Sequence, residues 1–177
     1  MGRYTITFLE LGQYGAGHRP SQPMSESATS LTQDYHGFFR HGIDDKRRLQ
    51  IPARWRPSGE NFELTIMIWT GHAAGTCLRV LAPKEMRELR DKLTNLPGSD
   101  PNKEKLLHFI GRNSDKLPVD KSGRMCLPER LAFEAGLKDE AVLVGMINKF
   151  EVWNPERYAA HAEGEGPLEP ALLNIIK

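Results

Sequence analysis

The chain has 177 residues, of which 39% are hydrophobic and 27% charged, and this composition excludes wholesale disorder because it can bury a core. Its 24 basic and 23 acidic residues leave a formal net charge of +1, which excludes a uniformly basic protein but not a local basic surface. No apolar run approaches the roughly 18 residues of a membrane-spanning helix. We therefore expect a cytoplasmic protein without a membrane partner.

Residues 1–33 differ from the rest of the chain because they are rich in Gly, Pro, Ser and Thr and show little apolar periodicity. This composition predicts a flexible N-terminal extension, or a leader translated from a mis-assigned start codon. Gly12, Gly15 and Gly17 lack the spacing of a phosphate-binding loop, and no Gly-Lys-Ser/Thr follows them.

An internal repeat organises the remainder of the chain. Residues 43–52 and 119–128 share one pattern: apolar, Asp, three residues, Arg, apolar, any residue, apolar, Pro. The offset between these two segments is 76 residues. Residues 78–85 and 150–157 also match, at an offset of 72, so the first copy carries four extra residues. We place those four residues in a loop at 70–76, where small residues and Gly are frequent.

Each copy predicts the same series of elements. Apolar residues at even spacing mark two short strands that flank the Asp-x-x-x-Arg turn, and a Pro then opens a helical turn. A second hairpin and a helix opened by another Pro complete the copy, and the connecting helix has Asp100 as its predicted N-cap. After the first turns, the predicted elements are a helical turn at 52–56, strands at 62–69 and 77–81, helices at 83–96 and 100–110, a helix at 128–135, strands at 141–146 and 150–153, and a helix from Pro155.

Four short strands cannot close a core, whereas two such halves can complete each other. The duplication therefore predicts a shared core. The expected organisation is an extension at 1–33, a first repeat at 34–97, a connecting helix at 98–113, a second repeat at 114–162 and a C-terminal tail at 163–177.

The doubled motif at 44–52 and 120–128, together with residues 35–41 and 142–153, resembles the MraZ family. The likeness covers residues 35–161. It implies an α+β, β-rich fold: a tandem duplicated AbrB-like swapped-hairpin β-barrel with short flanking helices. It also implies a nucleoid-associated transcriptional regulator of the bacterial division and cell-wall gene cluster. Such proteins form a ring-like homo-oligomer and bind direct repeats in double-stranded promoter DNA, and they need no cofactor.

The candidate DNA-binding residues follow from the chemistry of DNA. An Arg on a rigid hairpin can grip a phosphate or a guanine edge with two hydrogen bonds, so Arg48 and Arg124 are the principal candidates. Asp44 and Asp120, four residues earlier, are expected to orient these arginines or to cap turn amides. The remaining candidates, expected to contact phosphates, are Lys46, Arg47, Lys121 and Arg40.

We expect the first hairpin to dominate DNA contact, because residues 36–56 hold six basic and two acidic side chains. One departure from the family pattern lies there: the residue before the Arg is Gly123 in the second copy but Arg47 in the first. If this position requires a positive φ, Arg47 costs on the order of 1 kcal/mol. Either the first turn has relaxed, or the additional charge serves phosphate binding.

Alternatives remain at this point. The Asp–Arg pairs can act as salt bridges that only stabilise turns, or as contacts between subunits of a ring. An assembly protein and an antitoxin-type AbrB-like regulator are the competing functions. We expect no enzyme, because no histidine lies in a known catalytic motif; His36, His41 and Asp44 are a candidate metal-binding set. Cys77 and Cys126 are predicted to be buried free thiols because apolar residues flank both.

Overall fold

A computed structural model describes residues 34–56, 62–166 and 169–176. The predicted extension at 1–33 lies outside these residues. The elements, in chain order, are β1 (Phe38–Gly42), β2 (Arg48–Gln50), β3 (Glu63–His72), β4 (Gly75–Leu81), α1 (Pro83–Thr94), α2 (Lys103–Asn113), β5 (Ser114–Pro118), β6 (Arg124–Cys126), α3 (Glu129–Glu134), β7 (Glu140–Gly145), β8 (Lys149–Trp153), α4 (Pro155–Glu165) and α5 (Pro170–Leu173), with 3-10 turns at Ala53–Trp55 and Asn174–Ile176.

The strands and helices together form an α+β structure, in which the strands make two antiparallel sheets. The larger sheet has the order β1-β7-β8-β4-β3-β5, and the smaller one is a two-stranded ribbon of β2 and β6. The order of the large sheet has internal twofold symmetry. The counterparts of β1, β3 and β4 in the second copy are β5, β7 and β8, and each strand and its counterpart lie at equal distances from opposite edges. β1 pairs with β7 of the other copy, and β5 pairs with β3, so the two copies interleave as the shared core requires.

The predicted closed barrel is wrong. β1 and β5 are the edges of an open sheet, and no ladder joins them in the described part of the chain. The reason lies in the ribbon, whose three-residue strands pair with each other and make only single bridges to the preceding segments, Ile43 to Leu49 and Val119 to Met125. Leu49 and Met125 are fully buried and belong to the same core as the large sheet. The ribbon is therefore a second layer rather than a closing strand pair.

Counterpart residues face each other at two points between the copies. Leu49 pairs with Met125 in the ribbon, and Arg79 pairs with Glu151 between β4 and β8. In the second pair the two copies have diverged to opposite charges. Arg79 donates to Glu151 Oε1 from Nε at 3.1 Å and from Nη2 at 2.7 Å, and the side chains are 14% and 4% exposed.

Glu151 is held by more than this ion pair. Its Oε2 accepts a hydrogen bond from Trp153 Nε1 at 3.0 Å, and His72 Nε2 lies 3.3 Å from Oε1. Burial acts to raise the pKa of the Glu151 carboxyl, but the hydrogen bonds and charge of Arg79, aided by His72 and Trp153, outweigh it and lower the pKa. The carboxylate is therefore charged at neutral pH inside the sheet.

Most predicted elements agree with the structure to within a few residues, and two details are wrong. The predicted loop at 70–76 is mostly strand, because β3 runs to His72 and β4 begins at Gly75, whose φ of +113° permits the tight reversal. Asp100 does not cap α2, which begins at Lys103; its carboxylate instead accepts from the Asn102 amide at 2.8 Å in the preceding turn. None of the described helices has the length and apolar character to cross a membrane.

Gly145, the last residue of β7, lies against the backbone of Tyr35 and His36. Replacing this glycine tests the close approach of the two segments. A Cβ at Gly145 would overlap the backbone carbonyl of Tyr35, which cannot move without breaking its hydrogen bond from the Ile147 amide. We expect Gly145→Ala to lower the free energy of unfolding by about 1–3 kcal/mol, as overpacking of a core does. Chemical denaturation measures the change.

The matched control for this substitution is Gly164→Ala in α4. Nothing lies within 4 Å of a Cβ at Gly164, and Ala is the better helix former, so its stability should be unchanged or slightly higher. Equal stability of the two variants would contradict the close approach at Gly145.

Candidate nucleic-acid interface

The first turn, residues 44–48, is organised by the carboxylate of Asp44. Oδ1 of Asp44 accepts from the amides of Lys46 and Arg48 at 3.0 and 2.9 Å, and Oδ2 accepts from Arg48 Nε at 2.6 Å. The Arg47 amide donates to the Asp44 carbonyl at 2.8 Å. One Asp side chain thus closes the turn and orients the guanidinium, which combines the two roles predicted for it.

The second turn, residues 120–124, repeats this geometry. Asp120 Oδ1 accepts from the amides of Ser122 and Arg124, both at 2.9 Å, and Oδ2 accepts from Arg124 Nε at 2.9 Å. The Gly123 amide donates to the Asp120 carbonyl at 2.8 Å. The same arrangement therefore occurs twice, once in each copy.

The two turns are joined through the ribbon, and both arginines face the same side of it. In the ladder, Arg48 lies opposite Cys126, and Arg124 lies opposite Gln50. Directly opposed residues point to one side of a sheet, and alternate residues along each strand share a side. Since Leu49 and Met125 point into the core, these four residues form the outer face of the ribbon.

On the outer face, Arg48 and Arg124 occupy diagonal positions, and diagonal neighbours in antiparallel pairs are about 7–8 Å apart, with somewhat shorter Cβ–Cβ distances. Each side chain is 34% exposed. In both, Nε is used by the Asp of the same turn, and within the described residues neither guanidinium makes a further side-chain hydrogen bond. Two oriented guanidinium groups with uncommitted Nη atoms therefore share one surface.

Comparison with known proteins gives the chain's relatives. The family profile described as "MraZ protein, putative antitoxin-like" matches residues 111–167. The Transcriptional regulator MraZ of Thermomicrobium roseum is 37% identical over 134 residues, which cover 74% of this chain and 91% of that protein. The chain belongs to the MraZ family. Proteins of the same name from Pediococcus pentosaceus (34% identical; 70% of this chain and 83% of that protein) and Desulforamulus reducens (33%; 80% and 97%) are similar.

The other candidate cations of this MraZ-family chain differ in their surroundings. Lys46 and Lys121 are exposed in the two turns, and no ion pair of either side chain is found among the described residues. Arg47 donates from Nε to the Leu127 carbonyl at 3.3 Å. Arg40 lies outside both turns, on β1, and forms a 2.8 Å ion pair with Glu140. The structure thus brings Lys46 and Lys121 together with the principal arginines, but not Arg40.

Arg47 has the backbone conformation that was expected to be costly. Its φ is +58°, and φ at the counterpart Gly123 is +77°, so the first turn has not relaxed. The counterpart carbonyls of Leu127 and Ile51 each accept from an arginine Nε, of Arg47 at 3.3 Å and of Arg56 at 2.9 Å. The additional guanidinium of the first turn is therefore used on the protein itself.

Sequence reasoning missed three residues beside the turns. Arg56 covers Gly123 so closely that a Cβ there would collide with its side chain. Gln50 and Cys126 lie on the outer face and contact the turn of the opposite copy.

Cys77 is buried as predicted, but the prediction for Cys126 is wrong, because it alternates with the buried Met125 and Leu127 and is exposed. That alternation was a signal the sequence already contained.

The structure does not assemble the suggested metal site of His36, His41 and Asp44, since the Asp44 carboxylate is taken by its own turn. In the described part of the chain, His72, Cys77 and Glu151 have donor atoms within 4.8 Å of one another. However, both oxygens of Glu151 already accept hydrogen bonds from Arg79 and Trp153. A cation there would displace the partly buried guanidinium of Arg79, so this cluster is an ion-pair network.

The Asp carboxylates of the two turns should titrate at low pH. Hydrogen bonds from the Arg48 amide and guanidinium lower the pKa of Asp44 below its ordinary 3.8, and those from Arg124 lower the pKa of Asp120 in the same way. A carboxyl whose pKa is lower in the folded protein than in the unfolded chain stabilises the folded state at pH above the unfolded-state pKa. This stabilisation is lost as the pH falls through the folded-state pKa. We therefore expect both turns to persist until the pH falls below 3.8.

Carbon-13 NMR of the side-chain carboxyls checks this prediction, with both midpoints expected below 3.8. Arg48→Ala should raise the midpoint of Asp44 and leave that of Asp120 almost unchanged, and Arg124→Ala should do the reverse. If the titration midpoint of Asp44 is the same in Arg48→Ala as in the unmodified protein, the Asp44–Arg48 pair does not form in solution.

Proposed function

We propose that this protein is a sequence-specific DNA-binding transcriptional regulator that reads double-stranded promoter DNA with the outer face of the ribbon. The observation that carries the proposal is the pair of guanidinium groups, Arg48 and Arg124, each oriented by an Asp and presented on one surface. The name of the relatives, transcriptional regulator MraZ, supports the same conclusion.

Ribbon geometry suits the major groove. A two-stranded antiparallel ribbon fits into this groove, where guanine offers O6 and N7 to an arginine fork. In Arg48 and Arg124 the Asp accepts from Nε, and the two Nη atoms, which make no further hydrogen bond within the described residues, would contact such an edge. The Asp carboxylates also limit rotation of the side chains, which reduces the entropy lost on binding.

Lys46 and Lys121 would supply phosphate contacts that set affinity rather than sequence. The first hairpin would dominate DNA contact because residues 36–56 hold six basic and two acidic side chains. Arg47 and Arg40 contribute less to it than their charge suggests, because Arg47 donates to Leu127 and Arg40 pairs with Glu140.

The finer proposals extend the family resemblance. We propose that the targets are direct repeats in the promoter of the division and cell-wall gene cluster, and that the protein acts in the cytoplasm, associated with the nucleoid. A ring-like homo-oligomer would present the outer face repeatedly, and regular presentation matches a DNA site built of direct repeats.

Two measurements test the function. In a gel shift, the protein should bind DNA from upstream of its own gene more tightly than unrelated DNA of equal length. Phosphate contacts of Lys46 and Lys121 would weaken binding about tenfold between about 50 and 200 mM salt. Equal binding to both DNAs with a flat salt response would refute the proposal and favour an assembly protein instead.

A second candidate is an antitoxin-type role, in which the surface binds a protein. The description of the matching family profile as antitoxin-like favours it. Under this alternative, binding of upstream DNA would survive only as a secondary activity, and a protein partner would block the outer face. Competition between that partner and DNA distinguishes the two functions.

A further inference from the structure

We propose that Gln50 is a positioning residue that holds the second turn in its DNA-binding conformation. This inference rests on the proposed function of the outer face. Gln50 belongs to β2 of the first copy, yet its side chain reaches the turn of the second copy. Its Nε2 donates to the carbonyls of Ser122 at 3.0 Å and Gly123 at 2.9 Å.

The orientation of the amide follows from its surroundings. Carbonyl oxygens of Ser122, Gly123 and Ile51 all lie within 3.4 Å of Nε2. An amide oxygen in that place would face three other oxygens, so the donor end must point into the turn. Both amide hydrogens are then used within the protein.

This engagement excludes Gln50 from direct readout of adenine. Such a contact needs the amide to donate to N7 and accept from N6 at once, and the donors of Gln50 are occupied. Its contribution must therefore pass through the turn it braces. The braced carbonyls immediately precede Arg124, so Gln50 restricts the backbone that carries this guanidinium.

The first turn lacks an equivalent brace. Cys126 is the counterpart of Gln50, and its thiol donates to the carbonyl of Lys46, the counterpart of Ser122, at 3.3 Å. A thiol is a weak donor and supplies one hydrogen bond where the amide supplies two. The two turns thus have the same internal geometry but unequal support from across the ribbon.

Binding of upstream DNA by a double-mutant cycle tests the role of Gln50. Gln50→Met keeps the length of the side chain but removes both donors, and it should weaken binding about three- to tenfold, as loss of one or two hydrogen bonds predicts. Added to Arg124→Ala, it should have no further effect within about twofold; added to Arg48→Ala, its effect should multiply.

A general structural defect would weaken binding equally in both backgrounds, so equal effects would overturn the proposal. Full affinity of Gln50→Met beside a clear loss in Arg124→Ala would overturn it while leaving the proposed function intact. If Arg48→Ala and Arg124→Ala both bind as the unmodified protein does, the proposed function itself fails.

A gain-of-brace variant keeps the inference testable if Gln50→Met does not fold. Cys126 is exposed, and Cys126→Gln would place an amide beside the Lys46 and Arg47 carbonyls. We expect slower amide hydrogen exchange in residues 46–48 and binding at least twofold tighter. Cys126→Met, which lacks the donors, is the matched control, and equal exchange rates in the two variants would count against a bracing role for this position.

Discussion

Arg48→Ala and Arg124→Ala are each expected to weaken binding of the protein's upstream DNA about tenfold to a hundredfold, the range for loss of one bidentate contact to a base. Both guanidinium groups are oriented by an Asp, and their Nη atoms make no further hydrogen bond within the described residues. Arg48→Ala should lose more affinity than Arg124→Ala, because the basic first hairpin is proposed to dominate DNA contact. Fluorescence anisotropy with labelled promoter DNA measures both.

Two controls separate recognition from charge. Arg48→Lys keeps the charge but loses the planar fork, so it should recover affinity for unrelated DNA more than for the promoter. Arg90→Ala removes an exposed arginine of α1, outside the ribbon, and should change binding less than twofold. Promoter affinities of Arg48→Ala and Arg124→Ala that equal that of the unmodified protein would eliminate the outer face as the DNA-binding surface.

Arg79→Leu is expected to lower the free energy of unfolding by about 3–5 kcal/mol, the range for removing one partner of a buried ion pair. Glu151 would then be a charged, 4% exposed side chain without its guanidinium partner. Because the pKa of Glu151 is lowered in the folded protein, the ion-pair contribution is present at neutral pH and is lost in acid. Urea denaturation at neutral pH measures the change.

The exchanged pair Arg79→Glu with Glu151→Arg should recover part of this loss, because the two positions are counterparts that face each other across β4 and β8. Recovery should be incomplete, since Trp153 would lose its acceptor and Trp69 the guanidinium stacked 3.6 Å from its ring. If the exchanged pair is no more stable than Arg79→Glu alone, then pairing of opposite charges does not hold this site together.

Much of the local structure could be predicted from the repeat. The doubled Asp-x-x-x-Arg pattern predicted both turns and their Asp–Arg pairs, and Gly123 indicated the positive φ that Arg47 shares. These features depend on contacts within five residues, so the spacing in the sequence contains the information. Alternation in β6 also predicts the exposure of Cys126, although its apolar neighbours suggested otherwise.

Features between the copies could not be predicted in the same way. The contacts of Gln50 with the second turn, and of Arg79 with Glu151, join residues 72 or 73 positions apart in the sequence. No periodicity within one copy indicates which strand of the other it meets. The resemblance suggested a barrel, but the short strands of the ribbon leave the sheet open.

By itself, the sequence determined that two equivalent turns exist, that each pairs an Asp with an Arg four residues later, and that the halves must share a core. These follow from local hydrogen bonding and from the need to bury apolar strand faces. Only the tertiary structure decided that β2 pairs with β6. This pairing puts Arg48 and Arg124 on one surface and braces one turn with Gln50 and the other with Cys126. The tertiary structure likewise decided that β4 pairs with β8, which places Arg79 against Glu151. The register between distant strands depends on packing of the whole core, and this is a property of the assembled chain rather than of any segment.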